Sequence, residues 1–254
     1  MFKKRNVIRK SIQKKLELNI QDQYGKYALI NAFRYCPNKE IILEILKHKP
    51  DLNIQDQYGR TVLMHALVND SDKEVLLEIL KQKPDLNICD KCGRTVLLHA
   101  LENDQSKEVL LEILKQKQDL NIQDRYDETV LMYAFQYCSN KEVLLELLKQ
   151  KLDLNIRDIF GRTALMHALR NDQNKEVLLE ILKYKPNLNI QNIYGESVMV
   201  YALEHCSSKE VLLELLKQKP DLNNRDYYDK PCLIYALRSC SIKEVLLEIL
   251  KQTP

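Results

Sequence analysis

Apolar and polar positions recur along this chain with a period of 34 residues. Within one unit, Leu63, Ala66 and Leu67 have the i, i+3, i+4 spacing of a single helix face. A second apolar face follows at Val75–Leu80. Seven units share this pattern without an insertion. Each has an acidic or amide residue at the same position, which we call the marker residue: Asp22, Asp56, Asp90, Asp124, Asp158, Asn192 and Asp226. A two-helix unit of this size cannot bury its apolar face alone, so the pattern predicts stacked repeats with a continuous core.

Each unit is predicted to contain a hairpin followed by two helices. Gly59 and its equivalents occupy one position, which indicates a backbone site with positive φ. Thr61 is the predicted N-cap of the first helix, over about residues 62–69. Pro84 is predicted to end the second helix, because proline disfavours the α region for the residue before it. Capping boxes predict the start of that helix at four serines: Ser71, Ser139, Ser207 and Ser241.

The period also predicts the domain organisation. Residues 1–21 form a leading half-repeat that serves as a cap, because residues 7–20 align with the second half of a unit. At the other end, Leu247 and Ile249 are expected to be partly exposed or to meet a partner. The seven repeats are predicted at residues 22–55, 56–89, 90–123, 124–157, 158–191, 192–225 and 226–254.

The motif of these units resembles the ankyrin repeat family over essentially the whole chain. The matching residues are Asp56-x-x-Gly59-x-Thr61-x-Leu63, Ala66, Glu74-Val75 and Asp85-Leu86-Asn87. The resemblance implies an all-α solenoid of antiparallel helix pairs with hairpins on one side. It further implies a concave binding surface made of hairpin tips and first helices. Two departures concern local geometry: Met64 stands where the family has a histidine, and Lys83 stands where it commonly has glycine.

Charge is unevenly distributed. The net charge of the 254 residues is +3, but residues 1–15 hold seven bases and no acid. The rest therefore holds 32 of the 39 bases and all 36 acids, which does not suit a nucleic-acid-binding channel. The basic segment is interpreted as a solvated cap helix. The alternative hypothesis is nucleic-acid or anionic-surface binding through residues 1–15, and a mitochondrial-type presequence is a minor option for the same segment.

The sequence contains no complete set of residues for a metal site or for catalysis. Cys89-x-x-Cys92 supplies only two cysteines, on one hairpin, whereas a structural zinc site needs four ligands. The seven cysteines are expected to be free thiols, since stacked helices lie about 8–10 Å apart, beyond the reach of a disulfide. No histidine has a nucleophile or paired carboxylate at a hydrolase spacing. We therefore predict a non-enzymatic protein with no cofactor and no metal.

Tyrosine points instead to recognition, because 11 of the 13 tyrosines fall on hairpins or first helices. Tyrosine provides a large contact area with a polar tip at low entropic cost. The alternative is that the hairpin tyrosines pack on one another between repeats. The residues predicted to bind a partner are Gln57, Arg60, His65, Arg94, His99, Arg125, Tyr133, Tyr137, Arg162, His167, Tyr201 and Tyr235.

These observations predict a protein-interaction scaffold that binds a folded partner or an extended peptide. Tyr133, Tyr201 and Tyr235 are the expected aromatic anchors, and Arg60, Arg94 and Arg162 are expected to add charge complementarity. No apolar run approaches the ~20 residues of a membrane helix. The protein is expected to be monomeric and intracellular, with no small-molecule substrate. A host-directed effector secreted into a cell is a variant of the same hypothesis.

Overall fold

The structure is a computed structural model that describes residues 28–35, 38–69, 72–103, 105–150, 152–171 and 174–252. The predicted half-repeat at residues 1–21, the basic segment within it, and Cys36 lie outside the described residues. The described residues form fourteen α-helices and no strand beyond isolated bridges. The predicted all-α class is confirmed.

The helices alternate between a first and a second helix of each repeat. The first helices are α1 (Ala28–Tyr35), α3 (Val62–Val68), α5 (Val96–Glu102), α7 (Val130–Tyr137), α9 (Ala164–Arg170), α11 (Val198–His205) and α13 (Cys232–Ser239). The second helices are α2 (Lys39–Lys47), α4 (Lys73–Lys81), α6 (Lys107–Lys115), α8 (Lys141–Leu148), α10 (Lys175–Lys183), α12 (Lys209–Lys217) and α14 (Lys243–Gln252).

The described residues divide into two compact units, with the boundary between residues 122 and 123. In the first unit, α1, α3 and α5 pack in sequence on one side, and α2, α4 and α6 on the other. In the second unit, α7, α9, α11 and α13 form one layer and α8, α10, α12 and α14 form the other. Each unit is thus a stack of helix pairs joined through both layers.

The core is made by the predicted apolar faces. Leu63, Ala66 and Leu67 of α3 are buried, as are Val75 and Leu76 at the start of α4's face. Thr61 caps α3 by accepting a hydrogen bond from the amide of Met64 at 3.5 Å, as predicted. Burial of a Leu or Val side chain contributes about 1.5–3 kcal/mol, so repetition of this face is the main source of stability.

The second helices begin one residue later than the predicted capping boxes. In α8 the cap is Asn140, whose Oδ1 accepts hydrogen bonds from the amides of Glu142 and Val143. In α12 the cap is Ser208, which accepts from the amide of Val211. The predicted caps at Ser139 and Ser207 are therefore wrong. Ser241 likewise precedes the first residue of α14 by two positions, and Ser71 lies outside the described residues.

Four second helices are followed, two residues beyond their last residue, by a lysine with left-handed backbone geometry. Lys83 has φ 53°, and Pro84 follows it. Proline does remove its neighbour from the right-handed α region, but the neighbour adopts positive φ rather than the extended conformation that is usual before proline. Lysine has a Cβ and lacks the freedom of glycine in this region. The same geometry is found at Lys49, Lys185 and Lys219.

The last repeat leaves part of its surface uncovered by the described residues. Leu247 is 46% exposed, as predicted. Ile249, also predicted to be partly exposed, is fully buried, so that prediction is wrong. Its equivalent one repeat earlier, Leu215, is likewise buried, because this position faces inward in its own helix pair.

Candidate partner-binding surface

The marker aspartate organises the turn that precedes each first helix. In the second repeat, Oδ1 of Asp56 accepts hydrogen bonds from the amides of Tyr58 (2.8 Å) and Arg60 (2.9 Å). The Asp56 amide donates to the Arg60 carbonyl, and the Gly59 amide donates to the Asp56 carbonyl. Gly59 has φ +76°, and a Cβ there would lie 3.0–3.2 Å from the backbone of residues 90 and 91. The turn is therefore fixed before any partner is bound.

The other aspartate oxygen binds a side chain nine residues later. Nε2 of His99 lies 3.0 Å from Oδ2 of Asp90, and the Tyr133 hydroxyl donates to Oδ2 of Asp124 at 3.0 Å. The remaining pairs that share this offset are His65 with Asp56, His167 with Asp158, Tyr201 with Asn192 and Tyr235 with Asp226.

These contacts correct the predicted exposure of half of the candidate residues. The predicted anchors were expected to present their side chains to a partner, but the structure buries them or, for His65, nearly so. The polar end of each side chain is hydrogen-bonded to the marker residue of its own repeat. This bond holds the turn against the first helix. The residues concerned are His65, His99, His167, Tyr133, Tyr201 and Tyr235.

Asp90 keeps its charge although its side chain is buried. Burial raises the pKa of Asp90, but hydrogen bonds from His99 and from the amides of Arg94 and Cys92 outweigh it and hold that pKa well below its usual range. Burial and the hydrogen bond to Asp226 raise the pKa of the Tyr235 phenol. The phenol therefore stays protonated and donates to the carboxylate.

The other six predicted residues remain exposed or partly exposed. Arg125 stacks over the Tyr126 ring at 4.7 Å, and Arg162 stacks over Phe160 at 4.8 Å. Arg162 also pairs with Asp158 at 2.7 Å, and Arg94 pairs with Glu102 at 2.7 Å. The charges of Arg94 and Arg162 are thus partly compensated within the chain. Gln57 and Tyr137 are exposed, and Arg60 is intermediate.

An exposed apolar row, whose residues are absent from the list of predicted partner-binding residues, runs along three successive turns of the second unit. Each turn carries two exposed apolar side chains directly after its marker residue. The corresponding residues of repeats two and three are Gln57-Tyr58 and Lys91-Cys92, so the first residue of each pair is polar there. This change from a polar to an apolar residue is the sequence signal from which the row could have been predicted. We name this row the hairpin strip: Ile159, Phe160, Ile193, Tyr194, Tyr227 and Tyr228.

Backbone hydrogen bonds join the turns of the hairpin strip. The Ile193 amide donates to the Phe160 carbonyl at 2.9 Å, and the Tyr227 amide donates to the Tyr194 carbonyl at 2.7 Å. Because one bond spans each pair of neighbouring turns, the exposed side chains are held at one repeat's separation.

A cleft of about 470 Å³ opens beside the strip, between the turns of repeats five and six. Phe160 and Tyr194 form its outer wall, and the ends of α9 and α11 supply Arg170 and Glu204. His205 also lines it and packs against Tyr201, with ring centroids 5.8 Å apart. The cleft therefore combines apolar walls with charges of both signs, which suits a protein side chain.

One group of described residues has the atom types and spacing to hold a metal ion. The ligand atoms of Glu128, Asp158 and His167 all lie within 4.8 Å of one another. However, Oδ2 of Asp158 already binds His167 and both Nε and a terminal nitrogen of Arg162. Burial, together with the charges of Asp124 and Asp158, raises the pKa of Glu128 to about 7. The Asp158 oxygen that would face a metal is thus already occupied by His167 and Arg162, and we propose no metal there.

The six described cysteines are free thiols, as predicted. Cys89 is half-buried, and burial followed by the charge of Asp90 raises its pKa, which disfavours the reactive thiolate. Burial raises the pKa of Cys232 to about 12. Cys138 and Cys206 donate to backbone carbonyls two residues ahead, beyond the ends of α7 and α11.

Comparison with known proteins agrees with this geometry. The family profile described as "Ankyrin repeats (3 copies)" matches residues 68–158 and 135–226. The chain belongs to the ankyrin repeat family. Among solved structures, these ankyrin repeats match the crystal structure of the ankyrin repeat domain of Bcl-3, described as a unique member of the IkappaB protein family. The TM-score is 0.61 at 20% identity, with 90% of this chain and 100% of the Bcl-3 chain covered, so the likeness concerns the fold. No curated protein matches the sequence.

None of the described helices has the length and apolar character needed to cross a bilayer.

Proposed function

We propose that this ankyrin repeat protein is a non-enzymatic scaffold that binds a protein partner along the hairpin strip. The observation that carries the proposal is the strip itself: six exposed apolar side chains on three turns that backbone bonds hold together. Contiguous apolar surface of this kind is typical of interaction sites. Partner binding would remove it from water.

The spacing of the strip favours an extended segment of the partner. Successive turns lie one repeat apart, and packed helices are about 8–10 Å apart. An extended chain advances about 3.3 Å per residue. A segment that lies along the strip would therefore place an apolar side chain on each turn at about every third residue.

Neighbouring polar groups would add specificity. The cleft between repeats five and six would accept one further side chain of the partner, between Arg170 and Glu204. Among the originally predicted residues, those that retain exposed surface are the remaining candidates for partner contact: Gln57, Arg60, Arg94, Arg125, Tyr137 and Arg162. Exposed charges of this kind mainly set encounter rate and specificity. We further propose that the chain is monomeric and acts inside a cell, as an adaptor or a host-directed effector.

The test uses substitutions that the chain already tolerates elsewhere. Gln57 occupies the position after the marker aspartate in repeat two, so the triple variant Ile159→Gln, Ile193→Gln, Tyr227→Gln should retain the fold. Wild type and variant are compared by affinity capture with quantitative mass spectrometry. We expect at least one partner to fall by about tenfold or more, which corresponds to ~1.4 kcal/mol.

A matched control replaces three exposed apolar residues outside the strip. The variant Ile41→Gln, Val68→Gln, Tyr184→Gln removes similar apolar surface and should retain every partner. Equal recovery of all partners by the strip variant, or equal losses in both variants, would contradict the proposal.

A further inference from the structure

The residue four positions after the marker residue balances the charge of the turn in most repeats. In repeats one, two, three, five and seven, a base follows a marker aspartate at this position. Arg94 and Arg162 lie 3.4 Å and 2.7 Å from the marker carboxylates of their own repeats. In repeat six the residue is acidic but the marker is an amide, and Asn192 donates to Glu196 at 2.7 Å. In each of these repeats the sequence thus avoids placing two acids together.

Repeat four is the exception, because it places Glu128 after Asp124. Among the described residues, no hydrogen bond or ion pair reaches the half-buried Glu128 carboxyl, and a carboxylate oxygen of Asp158 lies within 4.8 Å of it. The nearby cation, Arg162, is bound to Asp158. The raised pKa of Glu128 has its cause in burial and in the charges of Asp124 and Asp158. The turn of repeat four therefore lacks a positive charge that its equivalents contain.

A cavity of about 190 Å³ lies between the turns of repeats four and five, and Glu128 and Asp158 are part of its lining. Its apolar walls are Tyr126, Ile159 and Phe160, of which the last two belong to the hairpin strip. The Ile159 amide donates to the Tyr126 carbonyl at 3.0 Å, so the two turns are joined by their backbones. The cavity thus continues the strip and adds to it one acid without a counter-charge.

We propose that this cavity binds a lysine side chain of the partner segment that lies along the hairpin strip. The inference rests on the proposed function, because the lysine belongs to the same partner. Its alkyl stem would pack on Tyr126, Ile159 and Phe160, since lysine stems readily cover apolar surface. Its ammonium would pair with Glu128. The partner would thereby supply the positive charge that a base of the chain itself supplies in the other turns.

The cavity is tested with n-butylammonium, which has the four-carbon stem and the charge of a lysine side chain. The full chain is titrated at pH 8, and the NMR signals of the Glu128 and Phe160 amides are followed. We expect saturable shifts with a dissociation constant of the order of millimolar, because the probe has few atoms. The Glu128→Gln variant, and 1-butanol as a neutral probe, should each bind roughly tenfold more weakly or worse.

Glu196→Gln is the matched control, because it changes the same position in repeat six, where the carboxylate already accepts the Asn192 side chain. It should leave the binding of n-butylammonium unchanged. The proposal is overturned if no saturable shift occurs, if 1-butanol binds as tightly as n-butylammonium, or if the Glu128→Gln variant binds the probe as wild type does.

Affinity capture separates this inference from the proposed function. A partner that is lost from the strip variant should also fall roughly tenfold with Glu128→Gln and be retained with Glu196→Gln. A partner that the strip variant loses but Glu128→Gln retains would overturn the lysine contact and leave the strip in place. If n-butylammonium binds but the strip variant retains every partner, the cavity binds an ammonium group and the proposed function fails.

Discussion

Nε2 of His99 lies 3.0 Å from Oδ2 of Asp90, and both side chains are buried. In repeats four and seven a tyrosine hydroxyl makes the same contact at the same nine-residue offset. The two residue types share a planar ring that ends in a hydrogen-bond donor. The position therefore requires a donor to the aspartate rather than an imidazole.

This equivalence predicts the result of two substitutions at His99. His99→Tyr should keep the free energy of unfolding within about 1 kcal/mol of wild type, because the hydroxyl replaces the Nε2 donor. His99→Phe keeps a ring but removes the donor from a buried carboxylate, which should cost about 1–3 kcal/mol. Urea unfolding measures both values. If the phenylalanine variant were as stable as the tyrosine variant, the hydrogen bond would not hold the turn.

The carboxyl of Glu128 predicts a dependence of stability on pH. Its pKa is raised to about 7 in the folded chain, from 4.5. Between these values the folded state binds a proton that the unfolded state has released, so stability falls as the pH rises from about 4.5 to 7. Glu128→Gln should remove this loss. The variant should be more stable than wild type by about 1–2 kcal/mol at pH 8, after allowance for the partial exposure of the carboxyl.

Thermal or urea unfolding at pH 4.5 and pH 8 checks this expectation. The difference between variant and wild type should be small at pH 4.5 and larger at pH 8. A difference of the same size at both values would mean that the carboxyl does not titrate in this interval.

The positive φ of Lys83 predicts a stabilising substitution. The left-handed conformation costs a residue with a Cβ about 1–2 kcal/mol, and glycine avoids this cost while losing more chain entropy on folding. Lys83→Gly should therefore raise the free energy of unfolding by about 0.5–1 kcal/mol. Lys117→Gly is the matched control, because Gln118 replaces proline there and Lys117 is not among the described residues with positive φ. Stabilisation of the control by the same amount would contradict the backbone explanation.

The repeat architecture could be predicted because its signals are local and multiplied. A glycine that requires positive φ, a threonine cap and a two-face apolar pattern each carry modest information, but they recur at one spacing throughout the chain. The capping serines failed for a local reason. Asn140 and Ser208 lie one residue beyond the predicted caps, and neighbouring polar side chains can satisfy the same helix amides.

The binding surface was harder to predict because one residue type serves two purposes in this chain. Tyr133 is buried on its marker aspartate, whereas Tyr194 is exposed on a turn. Composition and helix face do not separate these cases. The nine-residue offset from a carboxylate separates them, but it becomes visible only when the turn is folded against its helix. Ile159 and Ile193 are exposed because of the geometry of their turns, although an apolar residue is ordinarily expected to be buried.

The junctions between neighbouring repeats of the second unit reuse two polar contacts: a lysine side chain binds a glutamate of the next repeat, and an asparagine side chain accepts a backbone amide of the next repeat. A gene segment of 34 codons that is copied in register therefore encodes a piece that already fits both of its neighbours. The length of such an array can change in evolution by slippage or recombination, without new compensating mutations. Selection is then free to act on the turn residues, where the copies differ.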